Sequence, residues 1–144
     1  AFPADWSVAK WDGKKLGKKV EKLEKIALGA AEQSKRNLVP SITLFEKKAD
    51  FLAQLEQFDR IVVAYEESAK EGEAAALLQY LTGLEAGSKL LFIFGPEGGL
   101  SPAEIESFTV KGAILAGLGP RILRAETAPL YALSAVSVVT ELMN

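Results

Sequence analysis

The sequence contains neither cysteine nor histidine among its 144 residues. Without cysteine, disulfide bonds, thiolate nucleophiles and zinc–thiolate sites are excluded. Without histidine, serine–histidine triads, histidine-held metals and the usual proton acceptor near neutral pH are excluded as well. Any chemistry on this chain therefore depends on carboxylates, arginine, lysine, hydroxyl groups, main-chain amides or a bound cofactor.

Long apolar runs are also missing. No apolar run is longer than residues 90–94, which have the length of a strand and not the roughly 18 residues that span a membrane. The chain begins Ala-Phe-Pro, without methionine and without the pattern of a signal peptide. We therefore expect a cytosolic protein without a membrane partner, and we expect this chain to be part of a longer gene product.

Charge is distributed unevenly along the chain, although its net charge is only −2. Residues 1–48 carry a net charge of +5, and residues 49–144 carry −7. The basic residues concentrate in one stripe: Lys10, Lys14, Lys15, Lys18, Lys19, Lys22 and Lys25. Such a stripe can hold the phosphates of a nucleic acid, and it is also typical of a solvated helix face, on which Glu21 and Lys25 would pair. On charge alone we favour the solvated face.

Hydrophobic spacing predicts alternating helices and strands. Helices are predicted over residues 14–35, 48–57, 73–81, 101–108 and 129–142, and strands over residues 41–44, 60–65, 89–94 and 113–118. The last three strands are apolar throughout, which is typical of a parallel sheet covered on both faces. We therefore predict one α/β domain with a mostly parallel sheet and helices on both faces.

Two unusual loops follow predicted strands, where open parallel sheets bind ligands. Residues 95–101 read Gly-Pro-Glu-Gly-Gly-Leu-Ser, and a helix start follows with Ser101 as N-cap, Pro102 at its first position and Glu104 completing a capping box. Residues 117–128 combine a Gly-Leu-Gly-Pro bend with two arginines, a glutamate and a threonine. Neither loop matches a phosphate-binding or dinucleotide-binding motif, so we predict a ligand held mainly by main-chain groups of glycine loops.

A third segment, residues 31–36, ends the first long helix with Ala-Glu-Gln-Ser-Lys-Arg. Gln33 and Arg36 are three residues apart and share a helix face, from which they can contact bases or phosphate. A polar C-terminal turn, with basic side chains favoured by the helix dipole, explains the same residues. Taken alone, this segment favours the second interpretation.

In this order, the three segments resemble the RsmE-type enzymes, which methylate N3 of a uridine in small-subunit (16S) ribosomal RNA with S-adenosylmethionine. The resemblance covers essentially the whole chain, and the segment Leu-Gly-Pro-Arg-Ile-Leu-Arg-Ala-Glu-Thr-Ala over residues 118–128 is its most specific part. It implies an α/β domain of the SPOUT superfamily with a C-terminal trefoil knot, and a homodimer. Full-length members carry an N-terminal PUA-like RNA-binding domain and a first strand–helix unit, which we expect to precede this chain. Trp6 stands where the family frequently has arginine before Ser-Val.

The resemblance also implies roles for individual residues. Glu97 or Glu126 would accept the proton from uracil N3, and Arg124 or Arg121 would stabilise the uracil anion. Gln33 and Arg36 would contact RNA. A structural role for Glu97, tying its own loop through main-chain N–H groups, is an open alternative. The expected contacts of S-adenosylmethionine are Ala64, Tyr65, Glu66, Phe94, Gly95, Pro96, Glu97, Gly98, Gly99, Gly117, Leu118, Gly119, Pro120, Arg121, Ile122, Leu123, Thr127 and Ala128.

Two other functional classes fit the residues. One is a related SPOUT methyltransferase with another RNA target, such as a ribose 2′-O position in transfer or ribosomal RNA. The other is a non-catalytic binding or dimerisation module, which suits the acidic second half of the chain.

Overall fold

The computed structural model describes residues 1–9, 12–65 and 74–143 of the chain. These residues form two compact units. The first unit comprises Ala1–Pro3 and Ser7–Phe51, and the second comprises Ala4–Trp6 and Leu52–Asn144. Each unit is described by itself below.

The first unit contains the long helix α1, Gly13–Gln33, which the sequence predicts to within two residues at each end. The side chain of Asp12 caps its N-terminus by accepting a hydrogen bond from the main-chain N–H of Lys14 at 3.1 Å. At the other end the hydroxyl of Ser34 donates to the carbonyl of Ala30 at 2.7 Å. Lys35 then adopts a left-handed conformation with φ of 54°, which terminates the helix.

The predicted strand over residues 41–44 is wrong, because the described chain is irregular there. Its main-chain bonds join it to one residue, Ala1: the amino terminus donates to the carbonyl of Thr43, and the Phe45 N–H donates to the carbonyl of Ala1. Two such bonds do not extend into a strand ladder. Phe2 stacks on Phe51 with ring centroids 4.3 Å apart. Phe51 belongs to the helix α2, Lys48–Gln54, and a 3₁₀ turn, Leu55–Gln57, follows this helix.

The second unit is built on a three-stranded parallel sheet in the order β2-β1-β3. The strands are β1 (Arg60–Ala64), β2 (Leu90–Ile93) and β3 (Ile114–Ala116). Val62 at the centre of β1 lies beside Phe92 on one side and Ile114 on the other. The parallel sheet that the sequence predicts is confirmed, and all three strands end at the same edge.

Three helices accompany the sheet: α3 (Ala74–Thr82), α4 (Pro102–Val110) and α5 (Ala128–Ser137), which continues into a π-helical turn, Val138–Leu142. One buried cluster contains Val62, Leu77, Leu81, Ala116 and Val139, which places α3 and the C-terminal turn on one sheet face. Because side chains alternate along a strand, Ile61 and Val63 point to the other face, and both are buried. The sheet is therefore covered on both faces, as predicted. None of the described helices combines the length and apolarity needed to cross a bilayer.

Candidate functional site

The candidate site lies at the edge of the sheet where the three strands end. β1 ends at Ala64, β2 at Ile93 and β3 at Ala116, and the Tyr65 N–H donates to the carbonyl of Ala116 at 3.0 Å. The first loop (residues 95–101) leaves this edge after β2, and the second loop (residues 117–127) leaves it after β3. Parallel strands thus bring both glycine-bearing loops to one edge.

The first loop is a tight turn. The Gly99 N–H donates to the carbonyl of Pro96 at 2.8 Å, and Gly99 has φ of +81°, a conformation that side chains disfavour. A Cβ atom on Gly95 would lie 3.0 Å from Cγ of Leu100 and 3.1 Å from the carbonyl carbon of Gly99. The loop therefore requires glycine, and its main chain is open to close approach by a ligand.

A buried carboxylate fixes the end of the first loop. Glu104 is 1% exposed, and its Oε2 accepts a hydrogen bond from the Ser101 N–H at 2.9 Å, which completes the predicted capping box. Its Oε1 accepts from the main-chain N–H of Asp5 at 2.9 Å, and the Ser101 hydroxyl donates to Oδ2 of Asp5 at 2.5 Å. The segment Ala4–Trp6 is thereby tied to the start of α4.

A cavity of about 820 Å³ lies beside the first loop. All of its walls belong to the second unit. They combine apolar side chains, the main chain of the glycine turn and two glutamates, and they are formed by Trp6, Ala64, Tyr65, Phe94, Gly95, Pro96, Glu97, Gly98, Gly99, Leu100, Pro102, Ile105, Glu106, Thr109, Ile122, Leu123, Ala125 and Ala128. Its volume lies within the range of about 300–1,000 Å³ that is usual for small-molecule sites.

A smaller cavity of about 90 Å³ lies beside the second loop. Leu118, Gly119 and Arg121 line it without lining the larger cavity. The two cavities share the remaining walls, which are Ala64, Tyr65, Ile122, Leu123 and Ala128. The shared wall is thus formed by the end of β1, the second loop and the start of α5, and residues of both loops line the larger cavity.

Most of the predicted cofactor contacts line these cavities, but several do not. Pro120 and Thr127 are exposed and Gly117 is buried, and none of the three lines either cavity. Glu66 lies outside the described residues. The assignment of individual cofactor contacts therefore stays a prediction.

The four predicted catalytic residues separate into two groups. Glu97 lines the larger cavity and Arg121 lines the smaller one. Arg124 and Glu126 line neither; they form an ion pair of 3.9 Å, and their side chains are 86% and 68% exposed. Their catalytic roles remain predictions, which the arrangement of the second loop by itself does not support.

Sequence reasoning missed one wall of the larger cavity. Pro102, Ile105, Glu106 and Thr109 recur at helical spacing and form one face of α4. That spacing is visible in the sequence. Once the loop before α4 was identified as a site, the spacing was sufficient to predict that these four residues line it. Trp6 also lines the cavity, although it is separated from Gly98 by most of the chain, and its neighbours in sequence carry no signal for this contact.

The predicted RNA contacts belong to the first unit. Gln33 ends α1 and Arg36 follows it, and both side chains are exposed. The lysines of α1 from Lys14 to Lys25 are exposed as well, whereas Lys10 lies outside the described residues. Within the part of the chain that the structure describes, no group of three or more carboxylates is arranged to hold a metal ion.

Comparison with known proteins identifies relatives along the whole chain. The family described as an RNA methyltransferase domain matches residues 1–137. The chain is 53% identical, over 99% of its length, to Ribosomal RNA small subunit methyltransferase E of Bacillus subtilis, of which it covers 56%. The chain spans about half the length of the curated relatives that it matches.

Solved structures agree with these matches. A protein described as hypothetical superposes with a TM-score of 0.89 at 49% identity, over 99% of this chain and 55% of that one. Ribosomal RNA small subunit methyltransferase E from Neisseria gonorrhoeae, bound to S-adenosyl methionine, superposes with a TM-score of 0.71 at 25% identity, over 96% of this chain and 54% of that one. The α/β knot class and the RsmE-type resemblance agree with these likenesses. The chain belongs to the RNA methyltransferase domain family.

Proposed function

We propose that this chain is the cofactor-binding and catalytic part of an enzyme that transfers a methyl group from S-adenosylmethionine to N3 of a uridine in small-subunit (16S) ribosomal RNA. The observation that carries the proposal is that residues of both glycine-bearing loops line one cavity at the edge of the sheet. The family match and the methyltransferases of Bacillus subtilis and Neisseria gonorrhoeae support it.

The residues at the site fit S-adenosylmethionine. Tyr65, Phe94 and Leu123 give apolar walls for a flat base, and the main chain of residues 95–99 offers N–H and carbonyl groups for its polar edge. Gly99 and Gly119 both have positive φ, so each loop brings its main chain close without a side chain in the way. When bound, S-adenosylmethionine supplies a methyl group activated by a sulfonium.

The carboxylates of the larger cavity supply the proton acceptor that the reaction needs. Uracil N3 carries a proton and becomes nucleophilic only when that proton leaves. Glu97 and Glu106 both line the cavity and are exposed to it, so either carboxylate is placed to accept a proton from a base held there. We assign the acceptor role to Glu97, because it lies within the glycine turn itself.

Arg121 is the arginine that we assign to the developing anion. Loss of the N3 proton spreads negative charge onto the uracil oxygens, and a guanidinium placed beside them stabilises that charge. Both arginines are exposed, but Arg121 lines the smaller cavity, whereas Arg124 lines neither cavity and is paired with Glu126. Arg121 would reach a base held in the larger cavity, and Arg124 and Glu126 would join the site, when the second loop rearranges around bound RNA.

We further propose that the enzyme is cytosolic and acts as a homodimer. Leu130, Leu133, Leu142 and Met143 are each more than 60% exposed, with fractions of 66%, 63%, 75% and 72%. Large exposed apolar side chains that lie together on a surface are typical of a protein interface, and these four lie on α5 and the turn that follows it. Sedimentation should give the mass of two chains, and Leu133→Glu should shift it to one; a single-chain mass without the substitution would contradict the dimer.

Calorimetry with S-adenosylmethionine is the first test of the proposed function. We expect a saturable heat and a rise in melting temperature, followed by methyl transfer to small-subunit RNA, located at uridine N3 by nuclease digestion and mass spectrometry. No heat and no thermal shift would favour a non-catalytic binding module. A methyl group found on a ribose 2′-oxygen would instead identify a related enzyme with another target.

A further inference from the structure

Trp6 forms part of the wall of the larger cavity, next to the first loop. Its carbonyl oxygen lies 3.3 Å from the position of a Cβ on Gly98, and its ring atom Cζ3 lies 4.0 Å from that of Gly99. The side chain is nevertheless 51% exposed. A large aromatic ring that is half-exposed at a cavity contributes little to the core and offers a flat face to a ligand.

The main chain beside Trp6 is held firmly by polar contacts. The N–H of Asp5 donates to buried Glu104, and the carboxylate of Asp5 accepts from the hydroxyl of Ser101, which caps α4. These bonds fix the neighbour of Trp6 to the helix start that the first loop leads into. The indole is therefore positioned by its main chain, which leaves the ring itself available for stacking.

Trp6 lies on a flank of the larger cavity that the smaller cavity does not share. The smaller cavity shares five walls with the larger one, but Trp6, Ile105, Glu106 and Thr109 are not among them. A cofactor that spans both loops occupies the shared wall. The flank bounded by Trp6 and α4 is then the space left for the second reactant.

We infer that Trp6 is the stacking platform for the target base, and that its indole receives the uracil ring extruded from the RNA. The inference rests on the proposed function, because it needs the cofactor at the shared wall. Aromatic stacking is a common way to hold an unpaired base, and methyltransferases that act on a base must first remove it from its stack. Glu106 and Thr109 supply polar groups in the same flank.

Tryptophan fluorescence tests this directly, because the chain has two tryptophans. In a Trp11→Phe chain, Trp6 is the single emitter. We expect its emission to be quenched by a short oligoribonucleotide with one uridine, added with S-adenosylhomocysteine so that no turnover occurs. Trp6→Ala should weaken binding of this oligonucleotide roughly tenfold, the usual scale of one lost base–aromatic stack, and Trp6→Phe should restore most of it.

The affinity for S-adenosylhomocysteine separates the possible outcomes. We expect it to be the same within about twofold in Trp6→Ala and in the control Val110→Ala, an exposed α4 residue outside the lining. An equal loss of cofactor affinity in Trp6→Ala would make Trp6 a cofactor wall and overturn the inference. Cofactor binding without any quenching would also overturn it. No cofactor binding by the unsubstituted chain would instead overturn the proposed function.

Discussion

The two loops at the sheet edge differ in how they are held. The first loop ends in Leu100 and Ser101, which are 6% and 7% exposed, and the buried carboxylate of Glu104 fixes its last residue. The second loop carries Ile122, which is 78% exposed, and an arginine whose side chain is 86% exposed. Both loops use a glycine with positive φ, so backbone conformation does not distinguish them.

This difference indicates that the two loops have different roles in the site. The first loop is organised by contacts within this chain, and it presents its main chain to a ligand at no further entropic cost. The second loop exposes apolar and charged side chains, which a ligand, an RNA or a second copy of the chain can contact. We therefore expect the first loop to respond to substitutions of its own anchors, and the second to respond to what binds it.

Removal of the Glu104 carboxylate should have the largest effect on the first loop. Glu104→Ala leaves the buried Ser101 N–H and the Asp5 N–H without their acceptor, so we expect the free energy of unfolding to fall by about 3 kcal/mol. Urea denaturation measures this. Glu106→Ala is the matched control on the same helix, and because Glu106 is exposed its cost should stay within about 0.5 kcal/mol. Equal losses of unfolding free energy in the two variants would contradict the role of Glu104 as the anchor of the first loop.

Arginine substitutions test the second loop. Arg121→Ala should lower the rate of methyl transfer by about 100-fold, the usual cost of one lost anion-stabilising group. Because the ion pair of Arg124 is exposed, Arg124→Ala should change the free energy of unfolding by less than about 1 kcal/mol. Single-turnover kinetics compare the rates of methyl transfer in the two variants, and urea denaturation measures the free energy of unfolding of Arg124→Ala. A larger rate loss in Arg124→Ala than in Arg121→Ala would mean that the second loop closes over the substrate in the complex.

Glycine substitutions separate backbone strain from ligand contact. Gly119 and Gly112 have φ of +90° and +89°, so Gly119→Ala and Gly112→Ala should each cost about 1 kcal/mol of stability. Gly119 lines the smaller cavity and Gly112 lines neither. We expect calorimetry to give a cofactor affinity lowered about tenfold, or 1.4 kcal/mol, for Gly119→Ala alone. A similar loss in both variants would show that strain, not contact, sets the affinity.

The smallest expected effect concerns the far end of α4. Lys111 Nζ lies 2.6 Å from Oε1 of Glu56, and this hydrogen bond together with the charge of Lys111 lowers the pKa of Glu56 from its ordinary value of 4.5. A lowered pKa in the folded state contributes stability above pH 4.5, and that contribution is lost as the pH falls through the lowered value. Lys111→Ala should therefore flatten the acid limb of the stability curve slightly. Because Glu56 is exposed, 1 M salt should remove the difference in pH-dependent stability between the unsubstituted chain and Lys111→Ala.

Local signals in the sequence account for most of the fold. α1 and the capping box at Ser101 follow from helical spacing and cap chemistry, which act over a few residues. The prediction of a strand over residues 41–44 was wrong because Thr43 and Phe45 bond to Ala1 and not to a neighbouring strand. Strand formation depends on a partner that is distant in sequence, and residue preference alone does not provide one.

The same limit applies to the site. The glycine turn after β2 was predictable for two reasons. It directly follows a strand, and its glycines are the residues that allow a ligand to approach the main chain closely. The tie between Asp5 and Glu104 joins residues about 100 positions apart, so local spacing does not reveal it. Side chains in the second loop have no periodicity, and for this reason the sequence could not tell that Arg124 and Glu126 face solvent.

The wall that the two cavities share links the affinities of groups that bind in the two cavities. Tyr65, Ile122 and Leu123 contact both spaces, so a molecule that orders these side chains on one side changes the surface met on the other. Thermodynamic reciprocity then requires that each occupant alter the affinity of the other by the same factor. We therefore expect the parts of the methyl donor that lie in the two cavities to bind interdependently, so that a substitution that disturbs one part also weakens the contacts of the other.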